Sequence, residues 1–322
     1  MRSQSFAILL VVAAGAVSGL YAQQSGVEVL TRAAALNTEG DFRAALGLIQ
    51  PLLDSNPQKL DNVVAGVAWN IRGLSLQNVG NLDEARRSYE SAIKILRALP
   101  DQKIQYANAL DNLASFEADN GQLKESKVLR LRAKELYDSA GDHAGVARTA
   151  SSLAIIELAL GSRREARHYL AYASREEAQV TTPDPLNLAW MFGAECLLDE
   201  AEGNFQAGLD RINRVIDLWI HYFGPNYYLL AQAYSIRGRL YQVLGDDSRA
   251  EEDLRHSLVL LSDTHEENSK LYFVVEIMYA KVLKNSGRKD DASRMESNAR
   301  SALERLRHQQ CAGCTISAEG IR

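Results

Sequence analysis

Proline, cysteine and histidine are all scarce in this chain of 322 residues, which holds 6, 3 and 6 of them respectively. Few prolines among 46% hydrophobic residues exclude a disordered or proline-rich chain. Three cysteines exclude a fold held together by several disulfides. No histidine stands at metal-ligand spacing from another histidine or a cysteine, so neither a metal site nor a metal cofactor is expected.

An excess of positive charge is also missing, since 36 Lys and Arg face 41 Asp and Glu for a net charge of -5. This balance gives no general attraction to nucleic acid, and no nucleic-acid partner is expected. The basic run KESKVLRLRAKE at 124–135 includes Glu125 and Glu135. We interpret it as a solvated helix face.

Catalytic motifs are absent as well. The sequence has no glycine-rich phosphate loop, no nucleophile elbow and no zinc-protease helix motif. Paired carboxylates, as in AEEDL, fall on predicted exposed helix faces. We therefore expect neither an enzyme nor a cofactor.

A long apolar run occurs only near the start, at residues 6–17, after Arg2 and before small residues that end at Ala22. This order is typical of a secretory signal cleaved after Ala22. The run is short for a spanning helix, which needs about 20 apolar residues. We predict a signal peptide at 1–22 and a periplasmic or secreted protein with no membrane span after cleavage. Leu20 is not ideal before the cut, so an uncleaved membrane anchor stays open.

One spacing recurs along the rest of the chain. Seven glycines, 40 to 42 residues apart, are each followed five residues later by a small residue and preceded by another seven residues earlier. The glycines are Gly40, Gly80, Gly121, Gly161, Gly203, Gly245 and Gly287. Small residues on facing ridges let two antiparallel helices pack closely, and a left-handed glycine ends the first helix. The spacing predicts seven helix pairs.

The order of large and small residues in WNIRGLSLQNVGNLDEARRSYESA (69–92) and YSIRGRLYQVLGDDSRAEEDL (234–254) resembles the tetratricopeptide repeat. The likeness extends over about residues 26–309, and its longer period resembles the repeats of kinesin light chains. Arg130 and Arg163 depart from the pattern. The resemblance implies an all-α fold, a right-handed superhelical solenoid of antiparallel helix pairs with about seven repeats. We place it at 23–309, followed by a tail at 310–322.

In this family the first helices line a concave groove that binds peptides or helices of other proteins. The resemblance implies a protein-protein interaction scaffold, and the predicted signal peptide implies that it is exported. The alternative is an accessory or sensor subunit, of an envelope enzyme or complex, that binds a small ligand or glycan. The sequence does not set the partner's identity or the oligomeric state.

Helical phase predicts which polar and aromatic side chains face the groove. They are Asn70, Gln77, Asn78, Asn108, Asp111, Asn112, Arg148, Trp190, Gln232, Arg239, Gln242, Lys281 and Lys284. Amides suit a peptide backbone, and the cations toward the end suit an acidic segment. For each of these residues the alternative is that it is an ordinary solvated position on a helix, without a binding role. A two-carboxylate clamp is not expected, because Leu30 and Ala34 stand where it needs Lys and Asn.

Two other features have two interpretations each. Cys311 and Cys314 in CAGC form either a disulfide in the tail or two idle thiols. The aromatic stretch DLWIHYFGPNYYLLAQAY at 217–234 serves core packing, or an aromatic edge for a partner.

Overall fold

The computed structural model describes residues 17–54, 60–263 and 269–311, with side chains over 26–54, 60–263 and 269–306. Over these ranges the chain forms fourteen helices and no strand. They are α1 (Val17–Glu39), α2 (Phe42–Asp54), α3 (Asn62–Asn78), α4 (Leu82–Arg97), α5 (Lys103–Asp119), α6 (Leu123–Ala140), α7 (His143–Ala159), α8 (Arg163–Glu177), α9 (Pro185–Glu202), α10 (Phe205–Phe223), α11 (Leu230–Val243), α12 (Asp247–Asp263), α13 (Lys270–Asn285) and α14 (Lys289–Cys311). The all-α prediction is confirmed.

The predicted helix pairs are also confirmed. Each odd-numbered helix is followed after two or three residues by its even-numbered partner. All seven predicted glycines lie in these turns, with φ between 81° and 87°. This left-handed backbone is strained for residues that carry a Cβ, so the turn requires glycine. At the sixth turn Asp246 accepts a hydrogen bond from the Arg249 amide and caps α12.

The small residues bring paired helices into close contact. Ala33, Ala114, Ala154 and Ala280 on first helices are fully buried, as are Ala45, Ala85, Ala166, Ala250 and Ala292 on second helices. Cys196 takes the same position in the fifth pair. Burial raises the pKa of its thiol to about 12, so it packs as a small apolar residue.

The chain divides into two compact units, Met1–Ala194 and Glu195–Arg322. In the first unit, successive pairs bury large side chains between them. Tyr89 is fully buried with Leu76, Leu113 and Phe116 between the second and third pairs. Tyr137 similarly packs with Leu110 and Val146 between the third and fourth pairs. Each pair therefore covers the apolar face of the next, as in repeat proteins.

Each second helix contacts the first helix of the next pair at one repeated position, which we call the slot. The type of contact at the slot differs from pair to pair along the first unit. Leu46 packs against the cluster that contains Leu76 at this slot between the first two pairs. At the next slot Arg86 bonds Glu117 at 2.7 Å. The following slot pairs Lys127 with the buried carboxylate of Glu157. The same fold position thus accepts either an apolar contact or an ion pair.

In the second unit, Leu254 and Leu240 are fully buried, and α13 packs on α14 through Ala280, Leu283 and Ala292. Trp219 and Tyr227 are buried in an edge-to-face contact, which confirms core packing for these two rings of the aromatic stretch. Ile220 and Tyr222 nearby are exposed, so the partner-edge interpretation stays a prediction. Within the described ranges no helix has the length and apolar character needed to cross a membrane.

Several predictions lie outside the described residues. The predicted signal sequence is described only from Val17, where α1 begins, and only as backbone. The side chain of Cys311 and all of Cys314 lie outside the description. The signal peptide, its cleavage and the disulfide in the tail therefore stay predictions.

Candidate functional site

The first helices of neighbouring pairs lie side by side within each unit. In the first unit α1 lies beside α3 and α3 beside α5, and in the second unit α11 lies beside α13. We call the exposed side of these helices the first-helix face. The predicted groove residues belong to first helices, and all are exposed or half-buried except Asp111, which is buried. Their contacts show which of them already bond to the protein itself.

Amide side chains link neighbouring first helices in the first unit. Asn112 on α5 donates to the side-chain oxygen of Asn70 on α3 at 3.1 Å. Gln77 donates to Asp119 at 2.8 Å and accepts from the Tyr89 hydroxyl at 2.8 Å. Such bonds between neighbouring first helices hold successive pairs together, so these amides have a structural role whatever else they bind.

A similar link between α1 and α3 was missed by the sequence analysis. The Ser75 hydroxyl donates to the Asn37 side chain at 2.8 Å, and both residues are buried. The signal that could have revealed it is a polar residue in the last turns of both first helices, three residues before Gly40 and five before Gly80.

A charged cluster lies between α5, α6 and α7. Asp111 is 7% exposed and Arg130 is 6% exposed. Arg130 lies 3.9 Å from Asp111, and Arg148 lies 3.6 Å from the other oxygen of that carboxylate. Arg148 also donates to Asn108 and to the Tyr137 hydroxyl at 3.2 and 2.8 Å. The predicted groove residues Asn108, Asp111 and Arg148 are thus brought together.

The neighbouring groups in this cluster keep Arg148 charged and Tyr137 neutral. Burial opposes the charge of Arg148, but the neighbouring Tyr137 and Asp111 hold its pKa above the usual value. Burial likewise raises the pKa of Tyr137, so the hydroxyl stays protonated and donates to Asn108 at 2.6 Å. Arg148 is therefore a fixed cation on the first-helix face.

The interpretation of residues 124–135 as a solvated face is wrong for Arg130, whereas Lys127 keeps 36% of its side chain exposed. Arg130 is buried because its side chain reaches past α5 to bond Ser115 at 2.8 Å. Lys127 bonds the buried Glu157 at 2.5 Å. Arg130 had already stood out as a departure from the repeat pattern, at a position that is bulky and apolar in five of the other six repeats.

In the second unit the predicted cations are partly compensated. Arg239 bonds Glu200 at 2.6 Å, and Lys284 bonds Glu296 on α14 at 2.5 Å. Lys281 is exposed, with no ion pair among the described side chains. The face between α11 and α13 is thus less positive than the sequence alone suggests.

The remaining predicted residues have fewer partners. Asn78 is exposed and bonds only its own helix, at the Leu74 carbonyl. Trp190 is 37% exposed and Gln232 is exposed. The side-chain nitrogen of Gln242 is buried without a hydrogen bond. These residues lie on the first-helix face without being gathered into one cluster.

The second unit holds a cavity of about 590 Å³. Leu209, Asn213, Tyr241 and the α11–α12 turn line it. Its charges are satisfied locally, because Arg249 bonds Asp246 and lies over the Tyr241 ring. Across the described side chains, no group of three or more His, Cys, Asp or Glu could hold a metal ion.

No protein-family model matches the chain. No curated protein matches it either. Solved structures do. A Rap protein complexed with competence and sporulation factor aligns with a TM-score of 0.65 and 14% identity, over 93% of this chain and 85% of that one.

Two further solved structures are similar. The apo form of RapI aligns with a TM-score of 0.58 and 12% identity, over 90% of this chain and 100% of that chain. The anaphase-promoting complex hetero-tetramer Cut9–Hcn1 gives a TM-score of 0.58 and 17% identity, over 84% of this chain but 48% of that one.

The chain has the fold of tetratricopeptide-like repeat proteins. At these identities the likeness shows the fold alone. The kinesin-light-chain subtype stays a prediction.

Proposed function

We propose that this protein is an interaction scaffold that binds an extended peptide segment of another protein on the first-helix face. The observation that carries the proposal is the link between Asn70 and Asn112. It uses one oxygen of Asn70 and one hydrogen of Asn112. The Asn70 amide nitrogen and the Asn112 oxygen have no further bond among the described contacts.

These free groups match what a peptide backbone offers. An extended peptide presents N–H and C=O groups that need an acceptor and a donor. Both asparagines are half-buried, so a bound backbone would be partly shielded from water. Each is also held in place by the other, which lowers the entropy lost on binding.

Arg148 adds a fixed cation one helix further along the same face. Its guanidinium is held by Asn108, Tyr137 and the shared carboxylate of Asp111. Arg130 and Arg148 share the carboxylate of Asp111, and Asp142 also acts on Arg148 electrostatically. By contrast, Arg239 and Lys284 already have acidic partners. This favours the first unit over the second as the binding region.

The comparisons support the proposal through the fold. One similar structure is a Rap protein in complex with competence and sporulation factor, and another is the Cut9–Hcn1 hetero-tetramer. Those associations belong to those proteins. Because the fold is shared, we infer that this chain also binds a macromolecule. Its own residues must determine which one.

Affinity capture tests the proposal. The full chain is immobilised and exposed to cell-envelope extract, and captured proteins are identified and titrated individually. The double variant Asn70→Leu/Asn112→Leu exchanges the amide link for an apolar pair and should lose the specific partner. Asn298→Leu, on the exposed side of the second helix α14, is the matched control and should retain it. Equal capture by all three proteins contradicts binding at this face.

We further propose that residues 1–22 direct export and that the mature protein is periplasmic or secreted. The support is the charge, apolar run and small residues of that segment. Mass spectrometry of the fractionated native protein should find Gln23 as its first residue. A chain that keeps residues 1–22 in the membrane fraction supports the uncleaved anchor, and one found with cytoplasmic markers contradicts export.

A further inference from the structure

The first half of α9 presents an exposed tryptophan beside a glycine. Trp190 is 37% exposed, and Gly193 is half-buried three residues later, so the two share one side of the helix. The other six repeats carry a side chain at the position of Gly193. They have Leu30, Asn70, Asp111, Ser151, Ser235 and Ile277 there.

Packing does not require this glycine. A Cβ built at Gly193 meets no atom within 4 Å, and its φ is not left-handed. At Gly73, in contrast, a Cβ would lie 2.6 Å from the Tyr89 ring. Glycine weakens a helix interior relative to alanine, so Gly193 carries a cost without a packing benefit. The open space also shows that the Trp190 ring does not fill the notch itself.

The residues one turn before and after Gly193 on α9 are uncharged, namely Ala189, Trp190, Cys196 and Leu197. Met191 of α9 shares one buried apolar cluster with Ala150 of α7 and Ala173 of α8. The partly exposed side of α7 offers Ser152 and Ile155, and its Arg148 is already engaged. A charged group buried here would lack a free counter-ion, and this disfavours a charged occupant.

We propose that Trp190 and Gly193 form a subsite for one aromatic side chain of the bound peptide. The ring packs on the indole of Trp190, and the peptide backbone approaches α9 where no Cβ stands. This inference rests on the proposed function, because it names the chemistry of that same partner. It makes repeat five a determinant of specificity, beside the amide links that any peptide backbone could use.

A random dodecapeptide library displayed on phage and selected on the immobilised full chain tests the subsite. Selected peptides are then labelled with fluorescein and titrated by anisotropy. We expect an aromatic residue in them, whose change to alanine weakens binding about 5- to 50-fold. The same change in the peptide should have little effect on its affinity for the Trp190→Ala variant, because that variant lacks the indole on which the peptide's ring packs.

Gly193→Leu fills the notch and should weaken the peptides similarly while the protein stays folded by circular dichroism. Gly47→Leu on the second helix α2 is the matched control, since its Cβ also meets nothing within 4 Å. If Trp190→Ala and Gly193→Leu bind as wild type, the subsite is wrong while peptide binding stands. If the wild-type chain selects no peptide above an uncoated surface, both proposals fail.

Discussion

Gly73 shows how tightly one residue can be specified by its neighbour. A Cβ at this position would lie 2.6 Å from Tyr89, whose ring is fully buried and cannot move aside. We expect Gly73→Ala to lower the free energy of unfolding by about 1–3 kcal/mol through overpacking. Urea denaturation measures this.

Gly208 provides the control for that change, because its Cβ would stand at an ordinary 3.5 Å from Leu240. Gly208→Ala should therefore be neutral or slightly stabilising through its higher helix propensity. Equal destabilisation by both variants would contradict the close-packing explanation.

The Arg86–Glu117 pair makes a prediction that depends on pH. Burial raises the pKa of Glu117, and Arg86 opposes that rise. A carboxyl whose pKa is raised on folding contributes most at low pH and loses that contribution as pH rises through the folded pKa. Without Arg86 the ionised carboxylate of Glu117 loses its partner. Arg86→Ala should therefore lower the free energy of unfolding by about 1–3 kcal/mol at pH 8 and by less at pH 4.

Denaturation of wild type and Arg86→Ala at both pH values measures that difference. The variant Arg86→Ala/Glu117→Gln is the control, because it has no carboxyl to protonate at that position. Its difference from wild type should depend less on pH. An Arg86→Ala effect of the same size at pH 4 and pH 8 would show that Glu117 is not responsible.

At the scale of elements, the turn glycines end the first helices because their backbone is left-handed. Gly80 has φ of 84°, and its Cβ would meet no other atom, so only conformation constrains it. We expect Gly80→Ala to lower unfolding free energy by about 1 kcal/mol. Gly47→Ala, equally open but inside α2, should instead raise it slightly. Thermal unfolding compares the two, and matching shifts would contradict a conformational cause.

The helix pairs could be predicted from sequence because glycine and small residues recur at positions that each have one dominant physical requirement. Gly40 must be left-handed and Ala45 must be small wherever the pair occurs. The face that carries the candidate site was less predictable. Asn112 and Asp111 are adjacent in sequence, yet one retains free hydrogen-bonding groups and the other is buried between two arginines.

Arg130 explains why the burial of Asp111 could not be predicted. Its position along α6 indicated a departure from the repeat pattern, but a long side chain can reach solvent or cross beneath a neighbouring helix. Only the packing of α5 against α6 brings its guanidinium to Ser115. The compensation of Arg239 by Glu200 has a similar cause, since the partners are 39 residues apart and meet only when repeats stack.

At the scale of the whole molecule, the contacts within each of the two units run mainly between helices that are neighbours in sequence. In such an array stability is a sum of repeat terms and neighbour interfaces, so a local defect need not spread through the chain. Gly238→Ala offers a test, because its Cβ would lie 2.9 Å from the fully buried Leu254. We expect faster amide hydrogen exchange in α11, α12 and the helices packed on them. Exchange in α3 to α6 should stay unchanged, as native-state opening is confined to cooperative segments. A uniform acceleration along the chain would instead show that all repeats unfold as one unit, and local destabilisation would then impair binding at every site together.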